Sequence, residues 1–151
     1  MKIIRQYGPN KIENSSLCFG TMQFGDGADE RDSQEMYEAC RENGVNFFDT
    51  AFVYTGGKSE KILGNLIREE REKIILITKA GSVGGSSGEN IRSQLEQSLK
   101  RLQTDYIDLY QIHWPERQTN FFGKRGYVHS EDDDAISIKE TLRALNRLLE
   151  E

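Results

Sequence analysis

Four side chains in this sequence could work as one chemical unit: Asp49, Tyr54, Lys79 and His113. A phenol ordinarily loses its proton near pH 10, too high for an efficient proton donor at neutral pH. An ammonium group beside it favours the phenolate and makes the proton easier to give. Lys79 could supply that charge, and Asp49 could pair with Lys79 and hold it in place. His113 could hydrogen-bond a carbonyl oxygen next to the Tyr54 hydroxyl. A carbonyl gripped in this way is ready to accept a hydride at carbon. Taken singly, each residue has a plainer reading. Asp49 and Lys79 could be the first loop residues after strands, His113 a structural histidine and Tyr54 an exposed loop aromatic. The weight lies in the set and its spacing.

The spacing follows from the elements that must carry it. Short apolar runs at Leu17–Gly20, Val45–Phe48, Ile74–Ile77 and Ile107–Ile112 recur at roughly the 30-residue length of one βα unit. Near-continuous apolar runs suit strands buried on both faces of a parallel sheet. The last three runs lead into Asp49, Thr78-Lys79 and His113. In a β/α barrel the active site forms at the C-terminal ends of the strands. Asp49, Lys79 and His113 are therefore expected on one rim, with Tyr54 in the loop above Asp49. Tyr54 and Lys79 are expected within about 6 Å of each other, the range in which charge matters.

Between these runs the apolar residues have helical spacing. One stripe is Met36, Ala39 and Cys40, with Asp32 and Glu35 able to cap it and Gly44 to stop it. The others are Ile62, Leu63, Leu66 and Ile67; Ile91, Leu95, Leu99 and Leu102; and Ile138, Leu142, Leu145 and Leu149. Ser137 with Glu140 forms a capping box. Ahead of the first run, the turn signal Tyr7-Gly8-Pro9-Asn10 predicts a short hairpin. Two long loops, Gly81–Glu89 and Pro115–Ala135, are of the length that usually carries function or disorder. The acidic run Glu131–Asp134 lies in the second and reads as solvated loop, without the ligand spacing of a cation site.

Composition narrows the class. The 151 residues are 36% hydrophobic and 30% charged, a globular balance, with a formal net charge of -5. Basic residues are interspersed with acidic ones, so no nucleic-acid partner is expected. No run is long and apolar enough to predict a membrane span, and the first ten residues lack a signal-peptide core. Cys18 and Cys40 have no metal or redox spacing, and they read as small buried hydrophobes of a reducing compartment, the cytoplasm. The acceptor pattern Asn14-Ser15-Ser16 is then a chance match. Gly57-Lys58-Ser59 copies the end of a phosphate-binding loop, but the glycine required earlier falls at Phe52. No GxGxxG segment is present, so no Rossmann domain is expected; His113 and His129 lack metal-ligand spacing, so no metal is expected.

The segment Phe47-Phe48-Asp49-Thr50-Ala51-Phe52-Val53-Tyr54 resembles the signature of the aldo-keto reductases, as does Lys58-Ser59-Glu60-Lys61-Ile62-Leu63-Gly64. Leu17–Met22 resembles the family's first strand and Ile77–Ala80 its third. Leu95–Leu102 with Thr104–Pro115 resembles the stretch ending at the family's catalytic histidine. Thr119–Lys124 resembles a bacterial branch with a long loop after the fourth strand. Thr55-Gly56-Gly57 departs from the shorter glycine turn of many members.

The resemblance implies a (β/α) barrel of the TIM type and NADPH-dependent reduction of aldehydes or ketones, with NADP the family default and NAD left open. It implies Tyr54 as general acid in a tetrad with Asp49, Lys79 and His113. It places Gly20, Thr21, Met22 and Asp49 near the nicotinamide and Trp114 against the substrate. Only the first four βα units are expected here, one domain over residues 1–151 truncated after the fourth unit. Most of the cofactor site would then lie outside this sequence, and exposed strand edges would favour self-association or a complementing C-terminal half. The partner is expected to be a small carbonyl compound. The alternative is a non-catalytic half barrel, an accessory binding subunit that pairs with another chain.

Overall fold

The expected hairpin stands ahead of the main sheet: β1 (Gln6–Tyr7) pairs antiparallel with β2 (Ile12–Glu13), Tyr7 opposite Ile12. The structure is a computed structural model that describes residues 6–7, 12–81, 84–114, 116, 125–128 and 135–150. The hairpin turn, most of the second long loop and the acidic run Glu131–Asp134 lie outside these residues. Asn46 ties the hairpin to the sheet, accepting from the Ser15 N–H at 2.8 Å and donating to the Glu13 carbonyl at 2.8 Å.

Four parallel strands follow in the order β3 (Phe19–Gly20), β4 (Phe47–Asp49), β5 (Ile75–Ala80) and β6 (Leu109–Ile112). Each expected run holds a strand, but the bounds move. Leu17 is exposed and outside β3, and β5 runs on through Lys79, which sits opposite Gln111 in the ladder. Lys79 is thus a strand residue and not the first loop residue. The fully buried character expected of parallel strands holds for β5. β6 is half-buried throughout, with β5 as its one neighbour in the sheet among the described residues.

The helices α1 (Glu30–Glu42), α2 (Lys58–Ile67), α3 (Gly88–Leu102) and α4 (Ile138–Leu149) follow the four strands in turn. The main core joins Phe48 and Leu76 of the sheet to Tyr37 of α1, Leu63 and Ile67 of α2, and Leu102 of α3. Strand alternation then turns Phe47, Asp49, Ile75, Ile77 and Lys79 to the opposite face.

Two predicted stripes are rotated. On α1 the buried positions are Ser33 and Tyr37, while Met36 and Ala39 face outward. The Tyr37 ring packs on Phe48 at 5.0 Å between centroids, and its hydroxyl donates to Glu70 at 2.7 Å. Asp29 caps this helix, accepting from the Asp32 N–H, and Gly44 follows its end in a left-handed conformation. On α3 the buried face is Ile91, Gln94, Ser98 and Leu102. Leu95 and Leu99 instead line a groove shared with Leu142 and Leu145 of α4. Gln94 takes the buried face because it has work there: its carboxamide accepts from the Gly81 N–H at 3.1 Å.

The α2 stripe is as expected, with Ile62, Leu63 and Ile67 buried. The α4 stripe forms, but Ile138, Leu142 and Leu149 are exposed. Ser137 accepts from the Glu140 N–H at 3.3 Å, which gives the first half of the capping box.

Asp108, just before β6, fixes that edge strand. Its carboxylate accepts from Arg71 at 2.8 Å and from the Leu76 N–H at 3.0 Å, with both charged side chains nearly out of solvent. Asp108→Ala leaves the Arg71 charge buried without its counterion, and should lower stability by about 3 kcal/mol in urea unfolding.

Candidate active site

The site grows out of the β4 and β5 ends. The ladder between them continues beyond β4: the Thr50 N–H donates to the Ile77 carbonyl at 2.9 Å and the Phe52 N–H to the Lys79 carbonyl at 3.1 Å. The chain then turns in a short 3₁₀ segment, Tyr54–Gly57. Thr55, Gly56 and Gly57 there have φ of 50°, 65° and 87°. A threonine in this region is strained by about 1–2 kcal/mol. It is held there by its hydroxyl, which donates to the Phe24 carbonyl at 2.8 Å and accepts the Ser59 N–H at 2.9 Å. These two bonds tie the turn after Tyr54 to Phe24 and to the start of α2.

The four expected residues come together. The Lys79 ammonium donates to the Asp49 carboxylate, to the Thr50 carbonyl at 2.8 Å and to the Tyr54 hydroxyl at 3.3 Å. The last distance lies well inside the expected range. The Tyr54 and His113 rings meet edge to face at 5.6 Å. His113 extends the β6 ladder by one residue, its N–H donating to the Ala80 carbonyl at 2.8 Å. Trp114 packs its ring 5.0 Å from His113, on the same rim. Asp49 and Lys79 keep side-chain exposures of only 24% and 13%, so their pair is screened less than a surface one.

Of the residues expected near a cofactor, Gly20 opens onto free space and Met22 is 52% exposed. Thr21 is different: it is fully buried, and its hydroxyl is shared with the Asp49 carbonyl at 3.0 Å and Ser59 at 2.9 Å. Its side chain therefore locks β3 to β4. Thr50 and Ser59, also fully buried, complete that network with a 2.9 Å hydrogen bond.

Sequence reasoning gave no role to Glu60, Arg101, Ser59 or Thr50. Glu60 shares a helical face with Leu63, Gly64 and Ile67, but that spacing alone does not show that its carboxylate is buried. Both cysteines were read as buried, but Cys40 is half-buried and Cys18 is exposed. Its thiol is pushed up to about 11, by partial burial first and then by the Asp49 carboxylate.

The His113 imidazole is held below its ordinary value, chiefly by burial and next by the Lys79 ammonium, with Asp49 opposing. It is therefore neutral at neutral pH and able to donate or accept one hydrogen bond at each nitrogen. Its buried Nδ1 has no hydrogen-bond partner among the described residues. No group of three or more His, Cys, Asp or Glu among the described residues could hold a metal ion, and no described helix is long and apolar enough to cross a membrane.

A family model described as Aldo/keto reductase family matches residues 16–151. Protein tas of Escherichia coli is 38% identical over 156 aligned positions, which cover 90% of this chain and 45% of that protein. A probable voltage-gated potassium channel subunit beta of Arabidopsis thaliana is 33% identical, covering 97% of this chain and 42% of the relative. Among solved structures, an aldo/keto reductase from Klebsiella pneumoniae in complex with NADP and acetate superposes with a TM-score of 0.74 at 29% identity, covering 99% of this chain and 46% of that one. The chain thus spans about half the length of the relatives it matches.

The lowered His113 value has a measurable consequence. Unfolding frees the imidazole to its ordinary value near 6.5, so below that pH the unfolded chain binds the extra proton first. Stability from this group is full above about pH 6.5 and drains away as pH falls toward the folded value. Between about pH 8 and pH 5.5, the urea midpoint of the parent chain should fall further than that of His113→Asn. Equal falls would show that the imidazole is not held neutral.

Proposed function

The chain belongs to the aldo/keto reductase family, and on that premise we propose that its site reduces aldehydes or ketones to alcohols, with NADPH as reductant and Tyr54 as general acid. The observation that carries this reading is the Lys79 ammonium, which bonds the Asp49 carboxylate on one side and the Tyr54 hydroxyl on the other. A substrate carbonyl oxygen set between the Tyr54 hydroxyl and the His113 imidazole receives a hydrogen bond from each. Tyr54 then passes its proton to that oxygen as the carbon is reduced. Lys79 stabilises the phenolate left behind, and Asp49 fixes Lys79. Neutral His113 orients the carbonyl rather than supplying the proton, and Trp114 walls the pocket beside it.

The nicotinamide cofactor, when bound, supplies the hydride. Gly20, Met22 and Asp49 fit its reactive end: the first opens onto free space and the second is exposed. Thr21 contributes by holding β3 in register. The unpartnered Nδ1 of His113 is a further group suited to a ligand on this face. NADP is favoured over NAD by the Klebsiella structure, a complex with NADP. Both cysteines are free, in keeping with the cytoplasm as the compartment.

Because the chain spans about half of its relatives, we assign the activity to the barrel completed by a complementing half, with residues 1–151 supplying its first four βα units. A second reading is an accessory binding subunit. It draws on the likeness to the channel subunit beta and on the exposed α4 residues Ile138, Leu142 and Leu149.

NADPH oxidation with a panel of aldehydes, in the completed barrel, separates the two readings. Turnover is expected, and Tyr54→Phe should reduce it by roughly 10²–10⁴, the usual value of a positioned general acid, with NADPH affinity unchanged. Lys79→Met should lose a similar factor, and replacing His113 should lower efficiency by an amount that varies with the substrate. Near-normal turnover by Tyr54→Phe would remove Tyr54 as the acid, and no turnover with any carbonyl would favour the accessory reading.

A further inference from the structure

Beneath the rim lies a second ion pair that the proposed reaction does not use. Glu60 of α2 is fully buried, yet it is charged on a helix face otherwise given to Leu63 and Ile67. Its two oxygens go in different directions. Oε1 accepts from the Thr78 hydroxyl at 2.8 Å, and Oε2 accepts from Arg101 Nη1 of α3 at 3.0 Å. The same Arg101 nitrogen donates to the Phe52 carbonyl at 2.9 Å, and its guanidinium lies 4.4 Å from the Phe52 ring centroid.

These contacts end on the two segments whose separation matters. Thr78 immediately precedes Lys79 in β5, and Phe52 lies two residues before Tyr54. The Phe52 N–H already donates to the Lys79 carbonyl, so Arg101 takes up the other polar group of the same residue. The backbone has been shaped to admit the pair. A Cβ at Gly57 would stand 2.6 Å from the Arg101 guanidinium carbon, and one at Gly64 would stand 2.7 Å from the Leu102 backbone. A buried ion pair is seldom the most stable way to fill such a space, and a purely packing role would be served as well by apolar side chains.

We propose that Glu60 and Arg101 are positioning residues, which set the approach of Tyr54 to Lys79 and His113 by pinning Phe52 and Thr78 to one buried hub. This rests on the reading of Tyr54 and Lys79 as the reacting pair. Apolar packing alone could hold α2 against α3. It would leave the Phe52 carbonyl without its donor and the Tyr54 turn free to shift.

The test is made on the full chain by NMR with labelled aromatic rings. The Tyr54–His113 ring contact reports the site, and the Tyr37–Phe48 contact at 5.0 Å reports the core. Arg101→Met alone strands the Glu60 charge and could prevent folding. The double variant Glu60→Gln with Arg101→Met leaves no unpaired charge and keeps an acceptor for Thr78. In the folded double variant we expect the Tyr54–His113 contact to be lost while the Tyr37–Phe48 contact is unchanged. Retention of both contacts would overturn the proposal, and loss of both would do the same, because it would mark the pair as a general support of the fold. The measurement reads geometry alone, so an activity assay that removed Tyr54 as the acid would leave its outcome distinct.

Discussion

An ammonium group inside a parallel sheet must find its partners within the protein, since burying it unpaired carries a large desolvation cost. Lys79 is in that position: it stands between Thr78 and Ala80 in β5, and its side chain is 13% exposed. Asp49 meets the demand from the neighbouring strand, and the Thr50 carbonyl meets it again one residue on. Both partners come from the end of β4 and the residue after it, so the charge is satisfied only in the register that places Asp49 opposite Ile77. A slip of one residue would turn Asp49 into the apolar core and Phe48 toward Lys79. The pair is therefore a constraint on the fold before it is a feature of the chemistry, and the Tyr54 hydroxyl is placed against a charge that was already fixed.

Around this pair the molecule uses two kinds of interior. The apolar core of Phe48, Leu63, Ile67, Leu76 and Leu102 holds helices to sheet without specifying fine geometry. Nearer the rim the interior becomes polar. Thr21, Thr50 and Ser59 are fully buried and bonded to one another or to backbone, and Ser59 donates to the Thr21 carbonyl at 2.8 Å. Each of these bonds adds only about 1 kcal/mol net, but leaving one member without its partner costs more. Directional bonds fix positions that apolar contacts would leave loose. The change from apolar to polar interior along β4 is thus the point at which the structure passes from stability to placement.

The sequence was most legible where chemistry and strand period agree. Asp49, Lys79 and His113 stand at the ends of apolar runs, and alternation brings them to one face. The βα repeat and the N-terminal hairpin were legible for the same reason. The strand bounds and two helix faces were not. Tyr37 could not be told from an exposed tyrosine without knowing that Glu70, 33 residues away, would receive its hydroxyl. Gln94 was missed because its partner, the Gly81 N–H, lies on another element, and the neighbouring leucines drew the stripe the wrong way. Glu60 was hidden by the same logic. A buried charge is readable only together with its partner, and Arg101 lies 41 residues further along the chain. Local periodicity reports what a segment wants to bury, whereas long-range hydrogen bonds decide which polar groups join it.

The site and the barrel are completed to different degrees in this chain, and the difference bears on function. The contacts among Asp49, Tyr54, Lys79 and His113 all run between β4, β5, β6 and one adjoining turn, so the geometry of the set is fixed locally. The last two elements are not covered in the same way: Leu142 and Leu149 of α4 are exposed, and β6 is half-buried along its length. Electrostatic positioning gains most of its strength where water is kept out. The Tyr54 phenol and the Lys79 cation are thus placed within these units, while the dielectric of their surroundings depends on what covers the inner face. Placement and enclosure are separate physical tasks, and the local contacts of these elements accomplish the first.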